Sequence, residues 1–159
     1  MTSFETALKK GELGEKIIRE RLEKAGWIVY FPFTKHKPHY FDMLATMEKE
    51  KVIAIDVKTK ARLNMMPAQG INKKQYDQYM RFAKATNVPF WIVFVDEMTG
   101  DVHTAELVKL ENPIFLCDGK IIAWRLAAME KIMELTESQK KLLQSYNQRS
   151  YEFAKKVDA

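Results

Sequence analysis

The sequence is poor in cysteine, glycine and proline, and it has no long apolar run. Cys117 is the single cysteine among 159 residues, which excludes an intrachain disulfide and agrees with a reducing compartment. The six glycines and five prolines do not gather into a low-complexity segment or a linker that would divide the chain. The longest apolar stretch, residues 89–95, has the length of a strand and falls far short of the roughly 20 residues that span a bilayer.

The N-terminal segment also lacks the unbroken apolar run of a secretory signal, because Glu5, Lys9, Lys10 and Glu12 interrupt it. We therefore expect an intracellular, cytoplasmic protein without membrane association.

What the chain does have is the composition of an ordinary globular domain, with 47% hydrophobic and 30% charged residues. Its length predicts one domain over residues 1–159, large enough to remove roughly 70% of its extended surface from water. The net charge of +5 lies entirely in the first half: residues 1–80 contain 15 Lys and Arg against 10 Asp and Glu, and the remainder contains 11 of each. A basic half indicates a polyanionic partner such as nucleic acid.

Periodicity predicts alternating helices and strands. Thr2 and Ser3 can cap a first helix that ends at Gly26. The three segments that follow are rich in β-branched and aromatic residues and predict an antiparallel meander; they are residues 27–33, 40–47 and 51–58. A loop over 59–72 is long enough to suspect of function.

The second half predicts further elements of the same kinds. A second helix over Lys73–Thr86, with Tyr76, Tyr79, Met80 and Ala83 inward, leads into a fourth strand over 88–96. A turn and a fifth strand follow in 98–107, and another short strand in 119–126. We expect 127–135 to form a helical turn or loop. Thr136 and Gln139 form a capping box that opens a last helix reaching about Val157.

Asp56 and Lys58 form the most informative pair in the sequence. Side chains two apart on a strand share a face and lie about 6.6 Å apart at Cα, so these two charges face away from Ile53, Ile55 and Val57. We expect the first helix to cover their side of the sheet. Two charged groups placed there are costly unless they are paired or bind a metal.

Asp42 lies among apolar residues of the neighbouring strand, and a hairpin would bring it beside Asp56. Two carboxylates that close repel, so a proton or a cation is expected between them. Oxygen ligands select a hard ion such as Mg²⁺ or Mn²⁺. A nearby lysine completes the parts needed to hydrolyse a phosphodiester.

These residues, in order, resemble the PD-(D/E)xK nuclease superfamily: Glu15 on the first helix, Asp42 on the second strand, and Asp56-Val57-Lys58 on the third. The stretch "GELGEKIIRERLEKAGWIVY" is similar to the opening of archaeal Holliday-junction resolvases and their phage relatives. The resemblance covers about residues 11–95 and leaves a C-terminal elaboration, about 107–159, unexplained. Phe41 stands where the name-giving proline would be.

The resemblance implies an α/β, restriction-endonuclease-like fold with a central mixed β-sheet flanked by helices. It implies a Mg²⁺- or Mn²⁺-dependent endonuclease that acts on DNA, resolvase-like on branched DNA and homodimeric. Asp42, Asp56 and the Val57 carbonyl would be metal ligands, with Glu15 binding a metal-bound water or a second metal and Glu12 as its fallback. Lys58 would position the attacking water, and Gln75, on the second helix, would orient the lysine or a phosphate.

Basic residues near this motif are candidates for contacts with the DNA backbone: Lys35, Lys37, Lys60, Arg62, Lys73 and Lys74. Solvated surface charge is the alternative interpretation for them. A zinc site built from His36, His39, His103 and Cys117 is disfavoured, because four separated ligands lack a C-x-x-C partner. The alternative function is a nucleic-acid-binding or assembly module that keeps the fold without catalysis, and an RNA nuclease also stays open.

Overall fold

Two β-sheets and three helices make up the structure, a computed structural model that describes residues 2–32, 39–48, 51–63 and 66–146. The helices are α1 (Ser3–Lys24), α2 (Lys73–Thr86) and α3, which covers residues 137–146. The strands are β1 (Ile28–Tyr30), β2 (Met43–Thr46), β3 (Ile53–Lys60), β4 (Ala68–Asn72), β5 (Phe90–Asp96), β6 (Asp101–Glu106), β7 (Ile114–Leu116), β8 (Ile121–Arg125) and β9 (Glu130–Glu134).

The helix ends lie where the local sequence chemistry places them. Thr2 caps α1 through a capping box with Glu5, and Gly26 adopts the left-handed backbone at φ 90° that terminates the helix. Asn72 caps α2 by accepting a hydrogen bond from the Lys74 backbone N–H. Thr136 and Gln139 form the predicted capping box before α3. The predicted helix starts are therefore confirmed.

The central sheet has six strands in the order β1-β2-β3-β5-β6-β9. Strands β1, β2 and β3 form the predicted antiparallel meander. Strands β3 and β5 pair in parallel, and β5, β6 and β9 continue antiparallel. The result is the predicted α/β class with a central mixed sheet and helices on both faces.

Two segments differ from the expectation. The presumed loop over 59–72 contains β4, which joins β8 and β7 in a second, three-stranded sheet. The segment expected to be a helical turn or loop contains a short 3₁₀ turn, Leu126–Ala128, and then strand β9. In both cases pairing with a distant strand overrides weak local preference: β4 contains Gly70, and β9 reads Glu-Lys-Ile-Met-Glu.

Two separate cores lie on the two faces of the central sheet. The aliphatic core, beneath α1 and α3, consists of Ile17, Ile18, Met43, Ala45, Ile55, Val57, Val93, Val95, Val102, Leu135 and Leu143. The aromatic core, between the central sheet, α2 and the small sheet, consists of Ala54, Ile71, Tyr79, Ala83, Phe90, Ile92, Phe94, Leu107, Ile122 and Trp124.

This division corrects one expectation about β3. Helix α1 packs on the Ile55 and Val57 side of the sheet, whereas the side that carries Ala54 belongs to the aromatic core beneath α2. Because side chains alternate along a strand, Asp56 and Lys58 point toward α2 and not toward α1. The predicted end of α3 near Val157 lies outside the described residues.

No helix in the described ranges is long and apolar enough to cross a membrane.

Candidate active site

The β2–β3 hairpin brings Asp42 and Asp56 together. Its register pairs Met43 with Ile55, so Asp42, one residue earlier, lies opposite Asp56. The backbone N–H of Asp42 donates to the Ile55 carbonyl at 2.9 Å, and Asp42 Oδ2 accepts from the Val57 N–H at 2.7 Å. The Asp42 side chain is thus tied to the backbone of β3 and held at the position that the sequence predicted.

Asp56 and Lys58 form a largely buried ion pair on the aromatic side of β3. Asp56 is only 4% exposed, and Lys58 Nζ lies 2.9 Å from Asp56 Oδ2. The Lys58 ammonium is the ionic partner of Oδ2, which accepts no other hydrogen bond within the described part of the chain. A carboxylate oxygen has more than one lone pair, so Oδ2 keeps capacity for a further ligand.

The electrostatics of the site show two acids that cannot both ionise at low cost. Burial first, and then the charge of Asp56, raises the pKa of Asp42 to about 7. Burial also raises the pKa of Asp56, although Lys58 opposes that shift. Burial alone would lower the pKa of Lys58, but Asp56 outweighs it and the net shift is upward. Lys58 therefore stays cationic, while the two carboxyl groups favour holding one proton between them.

Glu15 is half-buried on α1, which packs on the other face of β3. Burial raises its pKa, and Asp56 is the next largest cause, so its carboxylate lies in the field of the pair. Gly14 makes this approach feasible, because a Cβ at that position would lie 1.8 Å from Thr59 Oγ1 on β3. The absence of a side chain on Gly14 lets α1 pack closely against β3 and carries Glu15 toward the site.

On α2, the structure distinguishes Gln75 from Tyr79. Gln75 is exposed in the first turn of α2. Tyr79, one turn later, is buried beside the pair: its ring centroid lies 5.7 Å from Lys58 Nζ, and its hydroxyl interacts with both Asp56 and Lys58. Sequence reasoning had counted Tyr79 only as a core residue. Gln75 and Tyr79 stand at positions i and i+4 and share a helix face, so the sequence pattern indicated the correct face of α2. Which turn of that face reaches the site depends on tertiary packing.

The predicted DNA-contacting residues lie in different environments. Lys60 donates to the Gly70 carbonyl and lies over the ring of Phe94. Arg62 pairs with Asp96 and with Asp101. Both cations are thus engaged inside the molecule, whereas Lys73, paired with Asp77, and Lys74 are at the surface of α2. Lys35 and Lys37 lie outside the described residues.

The residues present fit a hard divalent cation. Asp42 and Asp56 offer carboxylate oxygens, of which Asp56 Oδ2 is paired with the Lys58 ammonium and accepts no other hydrogen bond within the described ranges. Mg²⁺ is typically held by one or two carboxylates completed by water and substrate phosphate. Within the described ranges no three His, Cys, Asp or Glu residues are grouped closely enough to hold a metal among themselves. Glu15 is consequently better placed to act through a water. His36, one residue of the disfavoured zinc set, lies outside those ranges.

A cavity with a volume of about 670 Å³ lies elsewhere in the described structure, against the aliphatic core. Its walls include Ile53, Trp91 and Ile132, and none of the four clustered side chains lines it. The cavity and the Asp56–Lys58 pair lie on opposite faces of the sheet.

No protein-family model matches the sequence, and no curated protein sequence matches it. Among solved structures, the chain is similar to Hjc, a Holliday junction resolvase from the archaeal hyperthermophile Archaeoglobus fulgidus, with a TM-score of 0.57 and 16% identity over 76% of this chain and 95% of Hjc. A bacterial homing endonuclease, I-Ssp6803I, aligns with a TM-score of 0.45 and 13% identity over 94% of this chain and 96% of that one. The similarity to Hjc establishes the nuclease-like fold of the central mixed sheet and its helices.

Proposed function

We propose that this protein is a Mg²⁺- or Mn²⁺-dependent endonuclease that hydrolyses DNA phosphodiester bonds, with branched DNA among its substrates. The observation that carries the proposal is the juxtaposition of Asp42, Asp56 and Lys58 on β3 and its hairpin partner, with the half-buried Glu15 of α1 in the field of Asp56. Buried charges are retained at such a cost mainly where they have a function. The similarity to Hjc supports the substrate class through the shared fold.

Asp42, Asp56 and the Val57 carbonyl would hold the metal ion, and Glu15 would bind one of its waters. When bound, the ion would supply Lewis acidity toward a phosphate oxygen and lower the pKa of a nearby water. The two carboxylates would lose their mutual repulsion on binding it. Their raised pKa values show that ionising both groups is costly. A cation bound at this position would offset that cost in place of the shared proton.

Lys58 would contribute a fixed positive charge. Its pKa is raised by Asp56 once the opposing effect of burial is overcome, so the ammonium keeps its proton and acts through electrostatics and hydrogen bonding. Placed beside the carboxylates, it would orient the attacking water and stabilise the negative charge that develops on the phosphoryl oxygens.

DNA backbone contacts would come from the surface of α2, where Lys73 and Lys74 are accessible, and from Lys35 and Lys37. Lys60 and Arg62 are engaged internally and would contribute less. The net charge of +5 would assist the approach to a polyanion at low salt. A homodimer, as the resemblance implies, would present two such sites to a branched substrate.

Cleavage of a panel of labelled linear, nicked, flap and four-way-junction DNAs tests the proposal. With Mg²⁺ the wild-type protein is expected to cut at least one of them, and Asp56→Ala and Lys58→Ala are expected to remain folded and abolish cutting. A matched RNA panel decides the sugar. Metal-dependent cutting that persists in both variants would refute the proposal.

A folded wild-type protein that binds these DNAs but cuts none of them, with no heat of Mg²⁺ or Mn²⁺ binding in calorimetry, would favour a non-catalytic nucleic-acid-binding module. Repeating the titration with EDTA present gives the baseline for that measurement.

A further inference from the structure

The position of the Lys58 ammonium needs an explanation beyond its partner Asp56. A lysine carries its charge on a flexible four-carbon stem with many rotamers, and one charge contact does not fix it. The 2.9 Å approach of Lys58 Nζ to Asp56 Oδ2 is one such contact. A third group that contacts both members of the pair would restrict the ammonium to one location.

Tyr79 is in the position to do so. It is 3% exposed, and its hydroxyl interacts electrostatically with both the Asp56 carboxylate and the Lys58 ammonium. Its ring is 5.7 Å, centroid to Nζ, from the same ammonium, a distance at which a cation is attracted to the face of an aromatic ring. Tyr79 therefore lies against both members of the ion pair.

The ring of Tyr79 is itself held in place. It stacks on Phe90, the first residue of β5, with 4.6 Å between centroids and 16° between planes. Phe90 is fully buried and also contacts Phe82 edge-on. Phe90 lies on the strand that pairs with β3. The stacking therefore fixes the Tyr79 ring relative to the same sheet that carries Asp56 and Lys58.

We propose that Tyr79 is a positioning residue: its stacked ring fixes a hydroxyl that holds the Lys58 ammonium beside Asp56. This inference rests on the proposed nuclease function and assigns to Tyr79 the orienting role that the resemblance had assigned to Gln75. The hydroxyl would limit the ammonium to the geometry in which it faces the scissile phosphate, and loss of 1 Å of precision in such a group slows chemistry without weakening substrate binding.

Tyr79→Phe tests the role of the hydroxyl, because it keeps the ring and its stacking on Phe90. We expect single-turnover cleavage with Mg²⁺ to slow by about 10- to 100-fold, the range for losing one hydrogen bond to a charged group. The Kd for DNA, measured without divalent metal, should stay within about twofold. Tyr76→Phe is the matched control, since Tyr76 lies on the same helix but contacts Trp124, and its cleavage rate should not change.

An activity-independent readout separates this inference from the proposed function. In metal-free protein labelled with ¹⁵N on lysine, a held ammonium gives a slowly exchanging Nζ signal, assigned by its absence in Lys58→Met. We expect that signal in the wild type and in Tyr76→Phe, and its loss in Tyr79→Phe. An unchanged Lys58 signal in Tyr79→Phe, or an unchanged cleavage rate, would overturn the inference. A wild-type protein that cuts no nucleic acid would instead refute the proposed function, while the Nζ signal would still decide how Lys58 is held.

Discussion

The two faces of β3 bury opposite kinds of side chain within a single strand. Ile55 and Val57 enter the aliphatic core, where removing apolar surface from water stabilises the fold by about 25 cal/mol per Å². Asp56 and Lys58, their neighbours in sequence, enter the aromatic side, where burial of charge costs free energy. One face thus stabilises the domain while the other carries a charged cluster at the expense of stability, a combination that is typical of functional sites.

The largest expected effect comes from removing one charge on the destabilising face. Asp42→Asn keeps an oxygen for the Val57 N–H but removes a carboxylate that repels Asp56. We expect Mg²⁺-dependent cleavage to fall on the order of 10³-fold, and the free energy of unfolding at pH 8 to rise by about 1 kcal/mol because like-charge repulsion is relieved. Gel assays and urea denaturation measure the two effects.

Asp77→Asn is the matched control for that change, because Asp77 is an exposed carboxylate on α2. It should alter neither quantity appreciably. A lower stability of Asp42→Asn than of the wild type would contradict the contrast between the two faces of β3.

On the stabilising face, Leu143→Ala should cost about 2–5 kcal/mol of unfolding free energy, the range for emptying a buried leucine site. Leu143 is 0% exposed in the aliphatic core, whereas its neighbour Leu142 is 44% exposed. Leu142→Ala should therefore change stability by less than about 0.5 kcal/mol. A single cooperative unfolding transition in both variants would support the single-domain organisation, while a separate early transition in Leu143→Ala would divide the C-terminal elaboration from the rest.

Gly14→Ala tests how closely α1 must approach β3 to carry Glu15 to the site. The new Cβ would collide with Thr59 Oγ1, so we expect a loss of about 1–3 kcal/mol from overpacking and a slower cleavage rate. Adding Thr59→Ala removes the colliding oxygen and should restore part of both. Gly11→Ala, on the same helix with open space around its Cβ, should instead stabilise the protein by about 0.5–1 kcal/mol.

Much of the site was predictable because it depends on local pattern. Alternation along β3 places Asp56 and Lys58 on one face, and a short hairpin brings Asp42 opposite Asp56. The face that α1 covers was not predictable in this way, because alternation states which side chains share a face and not which helix packs on it. That choice follows from the parallel pairing of β3 with β5 and the hand of the crossover between them, which only the assembled sheet reveals.

The elements that were predicted wrongly share a physical cause. Strands β4 and β9 carry residues with weak strand preference. Strand β4 forms by pairing with β8, and β9 forms by pairing with β6 across a bulged register. In both pairs the partner residues are more than 25 positions apart in the sequence. The role of Tyr79 was missed because a buried aromatic residue on a helix is usually core. Its hydroxyl acquires a polar environment only when α2 is laid against β3.

The smallest expected effect concerns Lys60, a buried cation on the same face of β3 as Lys58. Burial, and then the charge of Lys58, lowers the pKa of Lys60 to about 8 from 10.5. Between these values the unfolded chain binds the proton and the folded chain does not, so Lys60 makes the free energy of unfolding rise with pH from about 8 to 10.5. Below pH 8 the buried charge of Lys60 destabilises the fold. Lys60→Met removes the linkage.

Removing Lys60 also leaves the Gly70 carbonyl without its donor, so the absolute stability of Lys60→Met is less informative than its change with pH. We expect the difference in unfolding free energy between wild type and Lys60→Met to move by about 1–3 kcal/mol in favour of the wild type from pH 7 to pH 10.5. Lys74→Met, at the surface of α2, corrects for the loss of one charge. A difference that stays constant across this range would mean that Lys60 keeps its proton in the fold, and that the polar side of β3 tolerates two neighbouring cations through Asp56 and the ring of Phe94.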